Sequence, residues 1–166
     1  MPRLFSGIEL PREVRERLAI LAVPISGAKW VPAEDLHLTL RFAGDIEPRI
    51  ARDLAEALSA IEGELLTLRI AGLGTFGSRD QRVIWAGVED LGKRDGLARL
   101  ARHNERAARN VGLPPSPRPW KPHVTLARMR GGRDEDVARL LGEYGAYALE
   151  PFTVERFVLF SARPNV

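Results

Sequence analysis

The spacing of apolar positions divides the chain into helical and extended segments. Apolar side chains recur every three or four residues in four stretches, as in amphipathic helices, and predict helices over residues 11–22, 48–61, 96–111 and 134–141. Alternating or β-branched stretches predict strands over residues 3–10, 29–31, 36–42, 65–73, 82–88, 123–127, 146–149 and 153–160. Glycines predict a loop over residues 74–80, and five prolines predict a stiff connector over residues 113–122. This order favours an α+β domain over a regular parallel βαβ array.

Two of the predicted strands carry the same short motif. Residues 37–40 read His-Leu-Thr-Leu, and residues 123–126 read His-Val-Thr-Leu. Because successive side chains of a strand point to opposite faces, each copy places its histidine and threonine on one face and its apolar pair on the other. The apolar face can join a core while the polar face lines an opening. The third histidine, His103, lies off the apolar side of a predicted helix, and we expect it to be solvated.

The two motifs also suggest how the chain is organised. A length of 166 residues fits one compact domain. One motif falls in each half, at residues 37–40 and 123–126. We therefore predict that residues 1–166 form a single domain of two similar lobes that face each other across a groove.

Composition excludes several kinds of site and partner. The chain has no cysteine, which excludes disulfides, zinc–thiolate sites and cysteine nucleophiles. No stretch approaches the roughly 20 apolar residues of a membrane-spanning helix, and the N-terminus lacks the apolar region of a signal peptide. The sequence therefore predicts a soluble, cytoplasmic protein. The net charge is +3, and 22 of the 25 basic residues are arginine. This excess fits a phosphate-rich partner such as RNA, but for any single arginine a solvated helix face is the favoured interpretation.

A pair of histidines that face one substrate can catalyse proton transfers at neutral pH. Unperturbed histidine titrates at about 6.5, so one ring can accept a proton from an attacking water while the other protonates a departing oxygen. Each such transfer is worth roughly 100- to 10,000-fold in rate. A threonine hydroxyl on the same face can hold a phosphoryl oxygen, and arginine can meet the charge that develops on it. A metal site is the alternative, although the sequence offers no obvious third ligand.

Residues outside the motifs add a family resemblance. The sequence resembles the 2H phosphoesterase superfamily, which is defined by two His-x-Thr/Ser-x motifs. More closely, it is similar to the RNA 2′,3′-cyclic phosphodiesterases, also called 2′-5′ RNA ligases or LigT-like proteins. The stretches that carry the resemblance follow the family's order along residues 3–11, 30–44, 82–88, 122–128 and 157–161. Relatives usually continue into a further turn and strand, whereas this chain ends at Val166.

The resemblance implies both a fold and an activity. The implied fold is bilobal α+β, with two antiparallel-sheet lobes and outer helices around a central groove. The implied activity is hydrolysis of RNA 2′,3′-cyclic phosphate ends to 2′-phosphates, without a metal or another cofactor and with weak reversible 2′-5′ ligation. The implied partners are such RNA ends, tRNA fragments among them, and we expect a monomer that does not contact membranes.

The resemblance also assigns roles to the motif residues. His37 would be the proton donor and His123 the proton acceptor, although the residues alone leave the two roles interchangeable. Thr39 and Thr125 would hold the phosphate.

Other residues match family positions outside the motifs. Arg128 matches a position that contacts phosphate, but strict alternation points it away from His123, so a bend or bulge must bring it round. Phe5 and Trp120 match aromatic positions near the bound base, where stacking is worth about 1–3 kcal/mol; core packing is the alternative for both. Arg41 shares the predicted face of the first motif and could add a phosphate contact.

Two other functions stay open. The same fold could act on a different phosphodiester, such as ADP-ribose cyclic phosphate, 2′-5′ oligoadenylate or a 3′-5′ RNA linkage. Alternatively, the chain could be a basic RNA-binding module without turnover, whose binding would fall steeply with salt and survive loss of either histidine. The intact histidine and threonine of both motifs favour an enzyme.

Overall fold

Eight strands, four α-helices and one short 3₁₀ helix (Ala33–Asp35) lie within residues 3–162, the part of the chain that the computed structural model describes. The strands are β1 (Arg3–Glu9), β2 (Ala28–Trp30), β3 (His37–Asp45), β4 (Leu66–Gly77), β5 (Arg82–Asp90), β6 (His123–Met129), β7 (Phe152–Val154) and β8 (Val158–Ala162). The helices are α1 (Arg12–Ala19), α2 (Pro48–Ser59), α3 (Gly96–Asn110) and α4 (Asp134–Tyr144). The predicted α+β class and the four predicted helices are confirmed. None of these helices is both long and apolar enough to span a bilayer.

Antiparallel pairing joins the strands in the order β7-β4-β5-β6-β3-β1-β8, with β2 beside β6. The two motif strands, β3 and β6, are neighbours whose described register has one residue pair, Leu38 opposite Val124. Strands β1, β3 and β8 lie on one side of this junction and the remaining strands on the other. The interpretation as two similar lobes stays a prediction. The end of the chain, after which the family resemblance implies a further turn and strand, lies outside the described residues.

The apolar positions of both motifs lie in the main core. Leu38 and Val124 are fully buried, and Leu40 and Leu126 are at most 3% exposed. Burying an aliphatic side chain of this size contributes about 1.5–3 kcal/mol, so the core fixes which face of each strand carries the histidine and threonine. A second apolar cluster packs under α2 and α3 and includes Leu54.

One predicted loop is wrong. Residues 74–77 of the expected loop continue β4, and they pair with β5 in a register that sets Gly74 opposite Trp85. A Cβ atom on Gly74 would overlap the Trp85 indole. The glycine therefore makes room for a neighbouring ring instead of ending the strand.

The C-terminal strands also differ from the prediction. Residues 146–149 form an isolated bridge between Ala148 and Ala71 instead of a strand. Backbone hydrogen bonds from Gly72 to the Tyr147 carbonyl and from Leu149 to the Ile70 carbonyl flank this bridge. The predicted strand over residues 153–160 is two strands, β7 and β8. These pair with different neighbours, β4 and β1, so the chain must leave one pairing before it enters the other.

Candidate active site

The two motif histidines are anchored in the same way. His37 Nδ1 lies 2.7 Å from the carbonyl oxygen of Asp35, and His123 Nδ1 lies 2.7 Å from that of Lys121. A carbonyl oxygen only accepts hydrogen bonds, so Nδ1 carries the hydrogen in both rings. Each neutral ring therefore keeps a lone pair on Nε2 that can accept a proton, and each protonated ring can donate one from the same atom.

The motif threonines share the histidines' face of the sheet. Leu38 and Val124 are direct partners and both point into the core, so the residues that flank them point to the opposite face. The hydroxyl of Thr39 lies 3.0 Å from Nε2 of His37 and donates to it when that ring is neutral. His37, Thr39, His123 and Thr125 are all half-buried. The predicted alternation thus places both His–Thr pairs side by side on one face, which we call the groove face.

The surroundings of His37 favour its neutral form. Burial is the largest cause and lowers the pKa of His37. The Asp35 carbonyl and carboxylate, the next largest causes, raise the pKa, and the electrostatic effects of Arg128 and His123 lower it, so the net direction is downward. In the free protein, His37 is therefore mostly unprotonated at neutral pH.

A bulge in β6 brings Arg128 to the groove face. Trp85 of β5 pairs with Thr125, whereas the next pair joins Ile84 to Ala127, which leaves Leu126 as an extra residue. Leu126 and Ala127 are both buried, so the alternation changes phase between them and Arg128 emerges on the same face as Thr125. The bend or bulge that Arg128 needs to reach the side of His123 is therefore present, and its contact with phosphate stays a prediction.

Strand β3 has the equivalent bulge, and it removes Arg41 from the site. Gly7 pairs with Thr39 and Ser6 pairs with Arg41, so Leu40 is the extra residue. Beyond it, Arg41 turns away from the groove face, contrary to the sequence-based expectation.

Partners within the protein occupy the guanidinium of Arg41. It forms an ion pair with Glu105 of α3 and donates to the Pro114 carbonyl of the connector. Glu105 also accepts from Arg109 and from the backbone and hydroxyl of Ser116. Burial raises the pKa of Glu105, but these hydrogen bonds outweigh it and lower the pKa to about 2.

Aromatic rings surround His37. The ring of Phe5 stacks on it, with centroids 4.6 Å apart, and Phe160 lies 4.9 Å from Phe5 and 5.5 Å from His37. A Cβ atom on Gly7 would lie 2.7 Å from the Leu38 carbonyl oxygen and 3.3 Å from the Phe160 ring, so this glycine allows both the close approach of β3 and the position of that ring. Register also sets Phe42, which is 55% exposed, beside Phe5 on the groove face.

A cavity of about 530 Å³ opens beside this cluster. Its lining residues include Phe5, His37, Phe160, Glu9, Glu34 and Arg15. Phe5 and His37 therefore line the same cavity, which opens next to the first motif histidine.

His123 has its own aromatic neighbours, which the sequence analysis missed. Phe76 meets it edge-on at 5.0 Å, and Trp85 lies 6.4 Å away. Trp85 and Phe160 belong to stretches that carry the family resemblance, and that signal could have identified them. Phe76 fell in the region mistaken for a loop.

Trp120 is placed by a backbone contact. Its indole N–H donates to the Thr39 carbonyl at 3.0 Å, and its ring packs against the main core. The neighbouring Lys121 carbonyl holds His123. Trp120 therefore fastens the connector to the first motif strand, which favours the packing interpretation; a role in base stacking stays a prediction.

Two further observations concern histidine and metal chemistry. His103 is exposed on α3, as expected. Among residues 3–162, no group of three or more His, Asp or Glu side chains is placed to hold a metal ion.

Comparison with known proteins identifies the family. The model of the family described as LigT like Phosphoesterase matches residues 8–85 and 90–166, with one motif histidine in each segment. The chain belongs to the LigT-like phosphoesterase family. The family resemblance noted in the sequence is therefore confirmed.

Several curated relatives of this LigT-like protein carry one name, RNA 2′,3′-cyclic phosphodiesterase. The Aeropyrum pernix protein is 36% identical over 134 residues, which cover 80% of this chain and 73% of the relative. The Bacillus subtilis protein is 30% identical over 170 residues, covering 99% and 90%. The Geobacillus stearothermophilus protein is 32% identical over 163 residues, and the chain spans 51% of its length.

Solved structures agree with the family assignment. The crystal structure of Escherichia coli LigT complexed with 3′-AMP matches this LigT-like chain with a TM-score of 0.75 at 26% identity. The match covers 100% of this chain and 91% of that one.

Proposed function

We propose that this LigT-like protein hydrolyses RNA 2′,3′-cyclic phosphate ends to 2′-phosphates by two-histidine acid–base catalysis. The observation that carries the proposal is the matched pair of histidines, each anchored through Nδ1 and each on the groove face of adjacent strands. The relatives named RNA 2′,3′-cyclic phosphodiesterase support the choice of substrate.

The reaction needs one proton acceptor and one proton donor. Nε2 of His123 takes a proton from water, the water oxygen attacks phosphorus, and the bond from phosphorus to O3′ breaks. Nε2 of His37 gives its proton to the departing O3′, which leaves a 2′-phosphate. These roles are the ones that the family resemblance implies for the two motif histidines.

The lowered pKa of His37 is compatible with its role as donor. An anion within a few ångströms favours the protonated form of a histidine. Binding of the phosphodiester therefore raises the pKa of His37 from its lowered value, and the ring acquires its proton when the substrate is present.

The remaining site residues would bind the substrate. Thr39 and Thr125 would donate to the non-bridging phosphoryl oxygens, and the guanidinium of Arg128 would meet their charge. Phe5 would stack on the terminal base at the edge of the cavity. Trp120 would act mainly by holding the connector against Thr39.

The same groups would serve the reverse reaction. If an RNA 5′-hydroxyl replaces water as the nucleophile, attack on the cyclic phosphate gives a 2′-5′ linkage. The proposal extends to a metal-independent monomer that acts in the cytoplasm on RNA ends, tRNA fragments among them.

The test is to incubate a short RNA that ends in a 2′,3′-cyclic phosphate with the protein in excess EDTA and to identify the product. We expect a 2′-phosphate end. A 3′-phosphate end would contradict the proposed leaving group, and loss of activity in EDTA would contradict the metal-free mechanism. If the RNA is bound without turnover, the protein is a binding module; if another cyclic phosphodiester is hydrolysed instead, the substrate assignment is wrong.

A further inference from the structure

Two cations lie directly opposite each other at one end of the groove face. Lys29 of β2 pairs with Arg128 of β6, and paired residues project from the same face of a sheet. The bulge at Leu126 has already placed Arg128 on the groove face, so Lys29 lies on that face as well. Both side chains are exposed.

This cation pair is not neutralised by the protein. Within residues 3–162, neither Lys29 nor Arg128 forms an ion pair with a carboxylate. Like charges directly opposite each other on neighbouring strands are destabilising. By contrast, Arg82, at the same end of the sheet, is paired with Asp134 at 2.6 Å. The uncompensated pair therefore offers a site for an anion.

The register places this cation pair just beyond the first motif histidine. Leu38 pairs with Val124 and the two strands run antiparallel, so the end of β6 that carries Arg128 extends past His37 at the start of β3. Strand β2 takes up the pairing with β6 there and sets Lys29 opposite Arg128. A phosphate chain that leaves the two histidines towards this end of the sheet therefore meets the cation pair.

We propose that Lys29, beside Arg128, binds the phosphodiester that precedes the reacting end of the RNA. This inference rests on the proposed function and extends it, because it makes the protein prefer an oligonucleotide end to a mononucleotide 2′,3′-cyclic phosphate. The mononucleotide has no such phosphodiester. Lys29 thus contributes to specificity and takes no part in the proton transfers.

The proposal predicts a specific salt effect. Each phosphate contact to single-stranded nucleic acid adds about 0.7 to the slope of log affinity against log salt. Raising salt fourfold should therefore lower the kcat/KM of the unmodified protein on a tetranucleotide about 2.6-fold more than that of Lys29→Ala. On the mononucleotide, the kcat/KM of the two proteins should fall by the same factor when salt is raised.

The experiment compares kcat/KM for a tetranucleotide and a mononucleotide, each ending in a 2′,3′-cyclic phosphate, at low and fourfold higher salt. At low salt, we expect Lys29→Ala to lower the value for the tetranucleotide severalfold and to leave the mononucleotide unchanged. Lys29→Arg should keep the preference. Lys93→Ala is the matched control, because Lys93 is an exposed lysine in the loop after β5. Equal loss on both substrates, or no loss on either, would overturn the proposal.

A binding measurement separates this proposal from the proposed function. Fluorescence anisotropy with a tetranucleotide that carries a 3′-phosphate needs no turnover. Weaker, less salt-dependent binding by Lys29→Ala would support the phosphate site even if cyclic ends are not hydrolysed. Identical binding by Lys29→Ala and the unmodified protein would reject it.

Discussion

The contact between Leu38 and Val124 should set the geometry of the two histidines. Within the described residues, Leu38 and Val124 form the pair that joins the two motif strands, and each of them directly follows a motif histidine. Leu38 is fully buried, so Leu38→Ala leaves a cavity at the junction and costs about 2–5 kcal/mol. For a domain of this size, a cost of about 3 kcal/mol lowers the melting temperature by about 6–12 °C.

A second leucine provides the control for this change. Leu54 in α2 is 3% exposed and lies in the other apolar cluster, so Leu54→Ala should cost a similar amount without touching the junction. Because a misplacement of about 1 Å can reduce a rate about 100-fold, we expect kcat to fall at least tenfold in Leu38→Ala and to change little in Leu54→Ala.

The assay combines thermal unfolding, followed by circular dichroism, with kcat measured well below both melting temperatures. A Leu38→Ala protein with a lowered melting temperature and an unchanged kcat would show that the junction does not set the catalytic geometry. Equal losses of kcat in both variants would mean that the rate reports stability instead.

Two further predictions concern protonation. In an NMR titration of the free protein, the pKa of His37 should lie below 6.5. The contribution of this histidine to stability is therefore present above pH 6.5 and is lost as the pH falls through the lowered pKa. Arg128→Ala should raise the pKa of His37, and a midpoint at or above 6.5 in the unmodified protein would refute the argument. Glu105→Gln should reduce the free energy of unfolding by about 1–3 kcal/mol at pH 7, because it removes a charged acceptor. The pKa of Glu105 is lowered from 4.5 to about 2. The difference in free energy of unfolding between the two proteins should therefore have its full value above pH 4.5 and shrink as the pH falls towards 2. An equal difference in urea unfolding at pH 7 and pH 2.5 would contradict this.

The motif strands could be predicted because their signal is local. Alternation alone places Leu38 and Val124 in the core and the histidines outside it, and the buried pair confirms this. Alternation also shows that Arg128 needs a bulge to join His123. These arguments require only the periodicity of a strand and the chemistry of its side chains.

Other parts of the site depend on pairing between distant segments. The sequence around Gly74 predicts a turn because glycine usually interrupts strands, but here the glycine accommodates Trp85 from the neighbouring strand. The same error hid Phe76 as a neighbour of His123. Arg41 was misplaced because the bulge at Leu40 is specified by its pairing with β1 and not by β3 itself.

The most direct test of the account is the rate at which histidine variants open an RNA 2′,3′-cyclic phosphate. His37→Ala and His123→Ala should each lose roughly 100- to 10,000-fold in kcat, with unchanged circular dichroism spectra. The double variant should lose less than the product of the two single losses, because the two groups act as a unit. His103→Ala, which alters the exposed histidine of α3, should keep the full rate. Full activity in either motif variant would contradict two-histidine catalysis.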